Sequence, residues 1–220
     1  MKNKNKIKHV CFDLDGTLID SFKTIYLATI FTLKELKIKQ KIQESLFREK
    51  IGLHFVDIFQ QMKIPVNNFE EFIVIYKRLY MNFIDDSKIY PNVIEVLNLL
   101  FAEDIYISLL TTKGQEQADR IIGHFDLTKY FSYIMGRRND IPHKPSSAPL
   151  LFICKELNVK PENTLMVGDT ELDILCGKNA RTKTCAVTYG YRDENSLLKN
   201  NPDSVISDIS KIPVIVQKLV

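Results

Sequence analysis

The chain has 220 residues, of which 45% are hydrophobic and 26% charged, and its formal net charge is +3 at pH 7. This composition allows a well-packed core, and so mild a positive charge does not favour a nucleic-acid partner. No apolar stretch approaches the roughly 20 residues of a membrane span, and charged residues interrupt the apolar start, so we expect neither a membrane protein nor a signal peptide.

The first predicted element is a strand over residues 7–12, and it leads directly into acidic residues. Asp13 and Asp15 are two positions apart, so on a continuing strand their carboxylates share one face. Two carboxylates this close repel each other unless a cation neutralises them, and Mg²⁺ prefers such oxygen ligands. Gly16 allows a sharp turn that points backbone N–H groups inward. These features predict a site for a phosphoryl group.

Residues 22–83 have a helical pattern throughout, and Asp20 or Ser21 is the predicted cap of the first helix. Further helices are predicted over 42–51, 55–62 and 69–84. So long a helical stretch without a strand indicates an inserted helical domain.

From residue 93 the predicted elements alternate between helices and strands. The helices cover 93–102, 114–125, 146–157, 170–179 and 211–220, and the strands cover 105–110, 130–135, 164–167, 182–187 and 204–206. This alternation predicts an α/β fold, a doubly wound parallel sheet covered by helices on both faces. We expect residues 1–19 and 85–220 to form this α/β core domain and residues 20–84 to form an inserted all-helical domain.

Polar residues follow several of the predicted strands, where an open α/β sheet binds its ligands. Thr111 and Thr112 follow one strand and are candidates for binding a phosphate. The alternative interpretation is that they are a plain helix N-cap. Lys144 precedes a helix, although most such lysines are simply solvated. Asp169 and Asp173 follow another strand and lie one helical turn apart on one face, and here the alternative is an Asp N-cap.

In this order, these residues resemble the four motifs of the haloacid dehalogenase-like hydrolases, and the likeness spans about residues 6–191. Within that family the chain looks like the branch of phosphoglycolate phosphatases and β-phosphoglucomutases, with a Rossmann-like core and a helical cap. Two departures stand out. Many relatives have Asn where Thr112 stands, and acidic residues where Arg137 and Arg138 stand.

The resemblance implies a role for each motif residue. Asp13 would be the nucleophile and Asp15 the proton carrier, while Gly16, Thr111, Thr112 and Lys144 would bind the phosphoryl group. Mg²⁺ would be held by Asp13, the backbone carbonyl of Asp15 and Asp169, and Asp173 would orient that shell from outside. In the cap, Arg48, Gly52 and His54 are the candidates for substrate specificity.

The resulting expectation is a cytoplasmic Mg²⁺-dependent phosphatase, monomeric or homodimeric, that acts on a small phosphorylated metabolite of the phosphoglycolate or sugar phosphate type. One alternative is a sugar phosphomutase of the β-phosphoglucomutase type, which needs a second phosphate site that the sequence does not show clearly. A more distant alternative is a non-hydrolytic phospho-aspartate signalling domain. In receiver domains, however, the metal-binding acidic pair precedes the phosphorylated Asp, which lies on a later strand.

Overall fold

The computed structural model describes residues 6–218. The chain forms two compact units, one made of Ile19–Lys88 and the other of Met1–Leu18 together with Ile89–Val220. Within the part of the chain that is described, no helix is long and apolar enough to span a bilayer.

The two-segment unit contains a six-stranded parallel sheet with the strand order β5-β4-β1-β6-β7-β8. The strands are β1 (His9–Phe12), β4 (Tyr106–Gly114), β5 (Tyr133–Arg137), β6 (Thr164–Gly168), β7 (Lys183–Val187) and β8 (Ser204–Ile206). The helices are α5 (Val93–Ala102), α6 (Gln115–His124), α7 (Ala148–Glu156), α8 (Glu171–Asn179), α9 (Glu194–Leu198) and α10 (Ile212–Lys218). The expected parallel α/β sheet is therefore confirmed.

The central strand β1 is buried on both of its faces. His9, Val10, Cys11 and Phe12 are all fully buried, and successive side chains of a strand point to opposite faces. On one face, Cys11 belongs to an apolar cluster with residues of β4, β5, β6, α7 and α8. Burial on both faces explains why Val10, Cys11 and Phe12 are all apolar and do not alternate with exposed polar residues.

The unit Ile19–Lys88 is mainly helical. Its helices are α1 (Phe22–Glu35), α2 (Glu44–Arg48), α3 (Phe55–Gln61) and α4 (Phe69–Asn82). Its core is aromatic: the Phe55 ring lies 5.0 Å from that of Phe72 and 4.6 Å from that of Tyr76. Two short strands, β2 (Ile19–Asp20) and β3 (Lys88–Ile89), pair with each other.

Several boundaries differ from the sequence-based expectation. The strand expected to end at residue 110 continues to Gly114, and the strand expected over 130–135 runs instead from Tyr133 to Arg137. The helix expected over 42–51 covers only Glu44–Arg48. The strands β2 and β3, and helix α9, were not predicted, because elements this short have too little periodicity to identify them. Of the predicted closing helix, residues 219–220 lie outside the described part.

Candidate active site

The nucleophile candidate Asp13 lies directly after β1, at the carboxyl edge of the sheet. Its side chain is buried, and its backbone N–H donates to the carbonyl of Val167 on β6 at 2.9 Å. Phe12 pairs with Leu109 on β4 and with Val167. This shared register brings the residues that follow β1, β4 and β6 to the same edge, where ligands of α/β sheets bind.

Lys144 lies in the middle of a buried ion-pair network. Its Nζ lies 2.7 Å from Oδ1 of Asp13 and 2.5 Å from Oδ1 of Asp173, and it donates to the carbonyl of Leu110 at 2.9 Å. All three donor positions of the ammonium are therefore used. Lys144 is thus not a solvated surface lysine, and it fixes the orientation of the Asp13 carboxylate.

The second oxygen of Asp173 stabilises the start of α8. Oδ2 accepts hydrogen bonds from the backbone N–H and the hydroxyl of Thr170, at 3.0 and 2.6 Å. Both carboxylate oxygens of Asp173 thus have strong protein donors. The direct contact of Oδ1 with the ammonium supports a role for Asp173 in orienting Lys144.

Asp169 is fully buried and is held by contacts that the sequence did not indicate. Its Oδ1 accepts from the hydroxyl of Thr17 at 3.1 Å, and its Oδ2 accepts from the backbone N–H of Tyr191 at 2.8 Å. A Cβ atom added at Gly16 or at Gly190 would overlap the Asp169 carboxylate. Gly16 also has a φ of +83°, a conformation that favours glycine. The two glycines therefore leave the space in which Asp169 lies.

The electrostatics of this cluster favour a bound cation. Carboxylate oxygens of Asp13, Asp169 and Asp173 lie within 4.8 Å of one another, with the single ammonium of Lys144 among them. Burial raises the pKa of Asp13 to about 7, although the nearby Lys144 ammonium opposes this shift. Burial also raises the pKa of Asp169 well above its usual range, and repulsion from the carboxylates of Asp13 and Asp173 adds to this shift.

The pKa of Lys144 is set by two opposing effects. Burial by itself lowers it, but the carboxylates of Asp13 and Asp173 outweigh burial and raise this pKa above its usual value. The ammonium therefore stays charged, yet it neutralises only part of three carboxylates. Since hard oxygen ligands around uncompensated negative charge suit Mg²⁺, the donor set fits this ion.

The residues after Leu110 differ from the predicted helix cap. The N-cap of α6 is Gly114, so the alternative interpretation of Thr111 and Thr112 as a plain helix N-cap is wrong. Thr111 and Thr112 both lie on β4, and the Thr111 hydroxyl accepts from the backbone N–H of Lys113 at 3.3 Å. The chain remains extended here because β4 continues to pair with β5 through a bulge.

Lys113 follows Thr111 and Thr112 in the sequence, but the sequence reasoning gave it no role. Its Nζ lies 3.1 Å from Oδ2 of Asp15, and both side chains are about nine-tenths buried. A strand predicted to continue past residue 110 would have placed Lys113 on β4, close to Thr111 at the same edge of the sheet.

The three specificity candidates Arg48, Gly52 and His54 lie in the helical unit. Arg48 ends α2, and its guanidinium lies over the ring of Phe22 at 4.8 Å from the ring centre. Gly52 has a φ of +100°, and His54 is the N-cap residue of α3 without a side-chain cap hydrogen bond. These residues frame a tight turn between α2 and α3.

The chain is similar to curated proteins over most of its length. The chain is 34% identical over 205 residues to the phosphoglycolate phosphatase of Aquifex aeolicus, and the match covers 92% of this chain and 95% of that protein. It is 32% identical over 215 residues to the pyrophosphatase PpaX of Oceanobacillus iheyensis, with 96% and 97% covered.

A solved structure extends the likeness to the fold. The crystal structure described as a predicted phosphoglycolate phosphatase from Haemophilus somnus superposes with a TM-score of 0.82 at 27% identity, covering 96% of this chain and 98% of that one. The sequence profile of the haloacid dehalogenase-like hydrolases matches residues 10–187. The chain is therefore an enzyme that belongs to the haloacid dehalogenase-like hydrolase family.

Proposed function

We propose that this enzyme is a Mg²⁺-dependent phosphatase that hydrolyses a small phosphorylated metabolite through an aspartyl-phosphate on Asp13. The observation that carries the proposal is the buried Asp13 carboxylate, fixed by Lys144 beside the carboxylates of Asp169 and Asp173. A buried carboxylate held in this way is protected from solvent and oriented for attack.

The metal would be held by Asp13, the backbone carbonyl of Asp15 and Asp169. When bound, Mg²⁺ supplies positive charge that offsets the charge of the substrate phosphoryl group. Thr17 and the Tyr191 backbone N–H hold the Asp169 carboxylate in place for this task.

Asp13 carries out the bond-making step. The contact with Lys144 falls on Oδ1, so we assign the attack to Oδ2. A new bond forms between Oδ2 and phosphorus while the bond from phosphorus to the leaving oxygen breaks, and Asp15 gives its proton to that oxygen. Asp15 then takes a proton from a water molecule, which attacks phosphorus, frees Asp13 and releases inorganic phosphate.

The remaining residues hold the phosphoryl oxygens. We assign this role to the Thr111 hydroxyl and to the backbone N–H groups of Gly16 and Thr112, with the Lys144 ammonium balancing the charge. Donors that are already oriented toward the phosphoryl oxygens would need little reorganisation during the reaction.

For the substrate, we propose a small molecule with one scissile phosphoryl group. The named activities of the relatives, phosphoglycolate phosphatase and pyrophosphatase, both fit such a substrate. We also propose that the helical unit acts as a cap, in which Arg48, Gly52 and His54 contribute to specificity.

The test is release of inorganic phosphate from a panel of phosphorylated compounds. The panel contains phosphoglycolate, pyrophosphate, sugar phosphates and nucleotides, each with Mg²⁺ or with EDTA, and isomerisation of β-glucose 1-phosphate is followed in parallel. We expect release from at least one compound, dependent on Mg²⁺. Release that persists fully in EDTA, or β-glucose 1-phosphate isomerisation as the main reaction, would contradict the proposal.

A further inference from the structure

Tyr189 belongs to the loop that follows β7, and this loop contacts the candidate metal site. A Cβ atom added at the neighbouring Gly190 would overlap the carboxylate of Asp169 and the carbonyl of Gly16. The next residue, Tyr191, donates its backbone N–H to Oδ2 of Asp169 at 2.8 Å. Tyr189 therefore lies within two residues of direct contacts to a proposed metal ligand, yet the proposed mechanism gives it no role.

The hydroxyl of Tyr189 reaches the same ligand through Thr17. It donates to the backbone carbonyl of Thr17 at 2.9 Å. Thr17 is fully buried, and its own hydroxyl donates to Oδ1 of Asp169 at 3.1 Å. Burial raises the pKa of Tyr189, and the Asp169 carboxylate adds to this shift, so the hydroxyl stays protonated and acts as a donor. Tyr189 thus holds the main chain of the residue whose side chain holds Asp169.

The turn that contains Thr17 is closed at its start by its own backbone. The N–H groups of Thr17 and Leu18 both donate to the carbonyl of Leu14, at 3.3 and 3.0 Å. The carbonyl of Thr17 accepts from Tyr189, which lies far away in the sequence. The carbonyl of Leu18 accepts from the backbone N–H of Tyr90 at 3.0 Å. Because the rings of Tyr90 and Tyr189 lie 4.7 Å apart, the two residues that hold these consecutive carbonyls also support each other.

Loss of the Tyr189 hydroxyl would affect the position of Thr17. The Thr17 carbonyl would lose its side-chain donor, and a buried acceptor without a donor is costly enough for the turn to shift toward a new partner. The hydrogen bond from Thr17 to Asp169 ends on a carboxylate and is therefore of the stronger kind, but it depends on where the main chain places the hydroxyl. A shifted turn would leave Asp169 with one of its two donors weakened.

We propose that Tyr189 is a positioning residue of the metal site, which holds Asp169 in the orientation that Mg²⁺ requires by fixing the main chain of Thr17. This inference rests on the proposed function, in which Asp169 binds Mg²⁺. Groups that hydrogen-bond to a metal ligand orient that ligand and influence the affinity for the metal. Thr17 is such a group, and Tyr189 acts through it.

The experiment measures Mg²⁺ binding by isothermal titration calorimetry in the wild type, Tyr189→Phe, Thr17→Val and the double variant, with phosphate release as a second readout. Tyr189→Phe removes only the hydroxyl and keeps the ring that packs against Tyr90. The matched control is Tyr130→Phe, because the Tyr130 hydroxyl also donates a hydrogen bond of 2.9 Å, to Oδ1 of Asn98 on α5. Unfolding transitions in EDTA show that each variant folds.

We expect Tyr189→Phe to raise the Mg²⁺ dissociation constant about 3- to 10-fold, less than the roughly 10- to 100-fold for Thr17→Val, which removes a direct donor to Asp169. The double variant should bind Mg²⁺ within about twofold of Thr17→Val alone, because residues that act through one contact are not additive. Saturating Mg²⁺ should restore most of the phosphate release of Tyr189→Phe. Tyr130→Phe should bind Mg²⁺ as the wild type does.

Two results would overturn the inference. One is a Tyr189→Phe enzyme that binds Mg²⁺ no more weakly than Tyr130→Phe, and the other is a double variant in which the two losses multiply. Failure of the proposed function would look different, because the wild-type enzyme would then bind Mg²⁺ but release no phosphate from any compound of the panel.

Discussion

The ammonium of Lys113 lies 3.1 Å from the Asp15 carboxylate, so the proposed proton carrier has a charged partner of its own. The pair is largely buried, which shields it from solvent and keeps the carboxylate in one orientation. Lys113 lies two positions along β4 from Thr111. It thus links the proposed proton carrier to the strand that also carries the hydroxyl proposed to bind the phosphoryl group.

Replacing Lys113 by Met should lower kcat about 10- to 100-fold while changing KM much less. The reason is that the variant loses a charged hydrogen bond that positions Asp15, typically about 1.5–3 kcal/mol, and keeps the groups proposed to bind substrate. Steady-state phosphate release measures the effect, and Lys113→Arg should retain part of the activity. A Met variant with unchanged kcat would show that this ion pair has no part in proton transfer.

Replacing Lys144 by Met should abolish phosphate release and lower the free energy of unfolding by about 3–5 kcal/mol, because it leaves buried carboxylates without their partner. Urea unfolding at neutral pH gives the stability. Since a bound cation would neutralise part of the same charge, millimolar Mg²⁺ should reduce the stability loss. Equal stability losses with Mg²⁺ and with EDTA would argue against an ion at this cluster.

Replacing Gly190 by Ala should weaken Mg²⁺ binding, because the new methyl group overlaps the Asp169 carboxylate and the Gly16 carbonyl. We expect the Mg²⁺ concentration for half-maximal activity to rise by about tenfold or more, consistent with the effect of disturbing a ligand's support.

The matched control is Gly123→Ala, since a Cβ at Gly123 meets no atom within 4 Å. On helix α6 this change should leave the Mg²⁺ requirement as it is and raise stability by about 0.5–1 kcal/mol. If both glycine variants needed the same Mg²⁺ concentration for half-maximal activity, the space around Asp169 would not determine the affinity for Mg²⁺.

His9 should make the protein sensitive to acid. It is fully buried, with Nδ1 3.1 Å from the Thr164 hydroxyl and Nε2 2.7 Å from that of Ser108, and burial lowers its pKa from 6.5 to about 3. Below pH 6.5 the unfolded chain binds a proton that the folded chain does not. The stabilising contribution is therefore complete above pH 6.5 and decreases by about 1.4 kcal/mol per pH unit down to about pH 3.

Urea unfolding of the wild type and of His9→Gln between pH 7 and pH 4 isolates this effect. The raised pKa values of Asp13 and Asp169 have the opposite dependence, but they are common to both proteins and cancel in the difference. The stability difference should shift in favour of the variant as the pH falls. A difference that does not vary with pH would mean that His9 is not held neutral.

The sequence was sufficient for the sheet and for the positions of the acidic residues. A continuous apolar run followed by Asp13 and Asp15 indicates both a buried strand and its carboxyl end, and the same argument applies to Val167 and Asp169. These features depend on residues that are adjacent in the chain, so the local sequence pattern is sufficient to predict them.

The supports of the site could not be predicted in this way. Thr17 and Asp169 are 152 positions apart, and Tyr191 reaches Asp169 only because β6 and β7 lie side by side. Such contacts depend on strand register and on where each strand ends. Strand β4 is an example: because the predicted strand ended at residue 110, the contact of Lys113 with Asp15 was not foreseen.

The most direct test of the account is phosphate release by Asp13→Asn in saturating Mg²⁺, with its unfolding transition measured alongside to show that it folds. The amide keeps the shape of the side chain but is a far weaker nucleophile, so we expect the rate to fall by about 10⁴-fold or more. A folded Asp13→Asn enzyme that releases phosphate at a rate near that of the wild type would contradict the assignment of Asp13 as nucleophile.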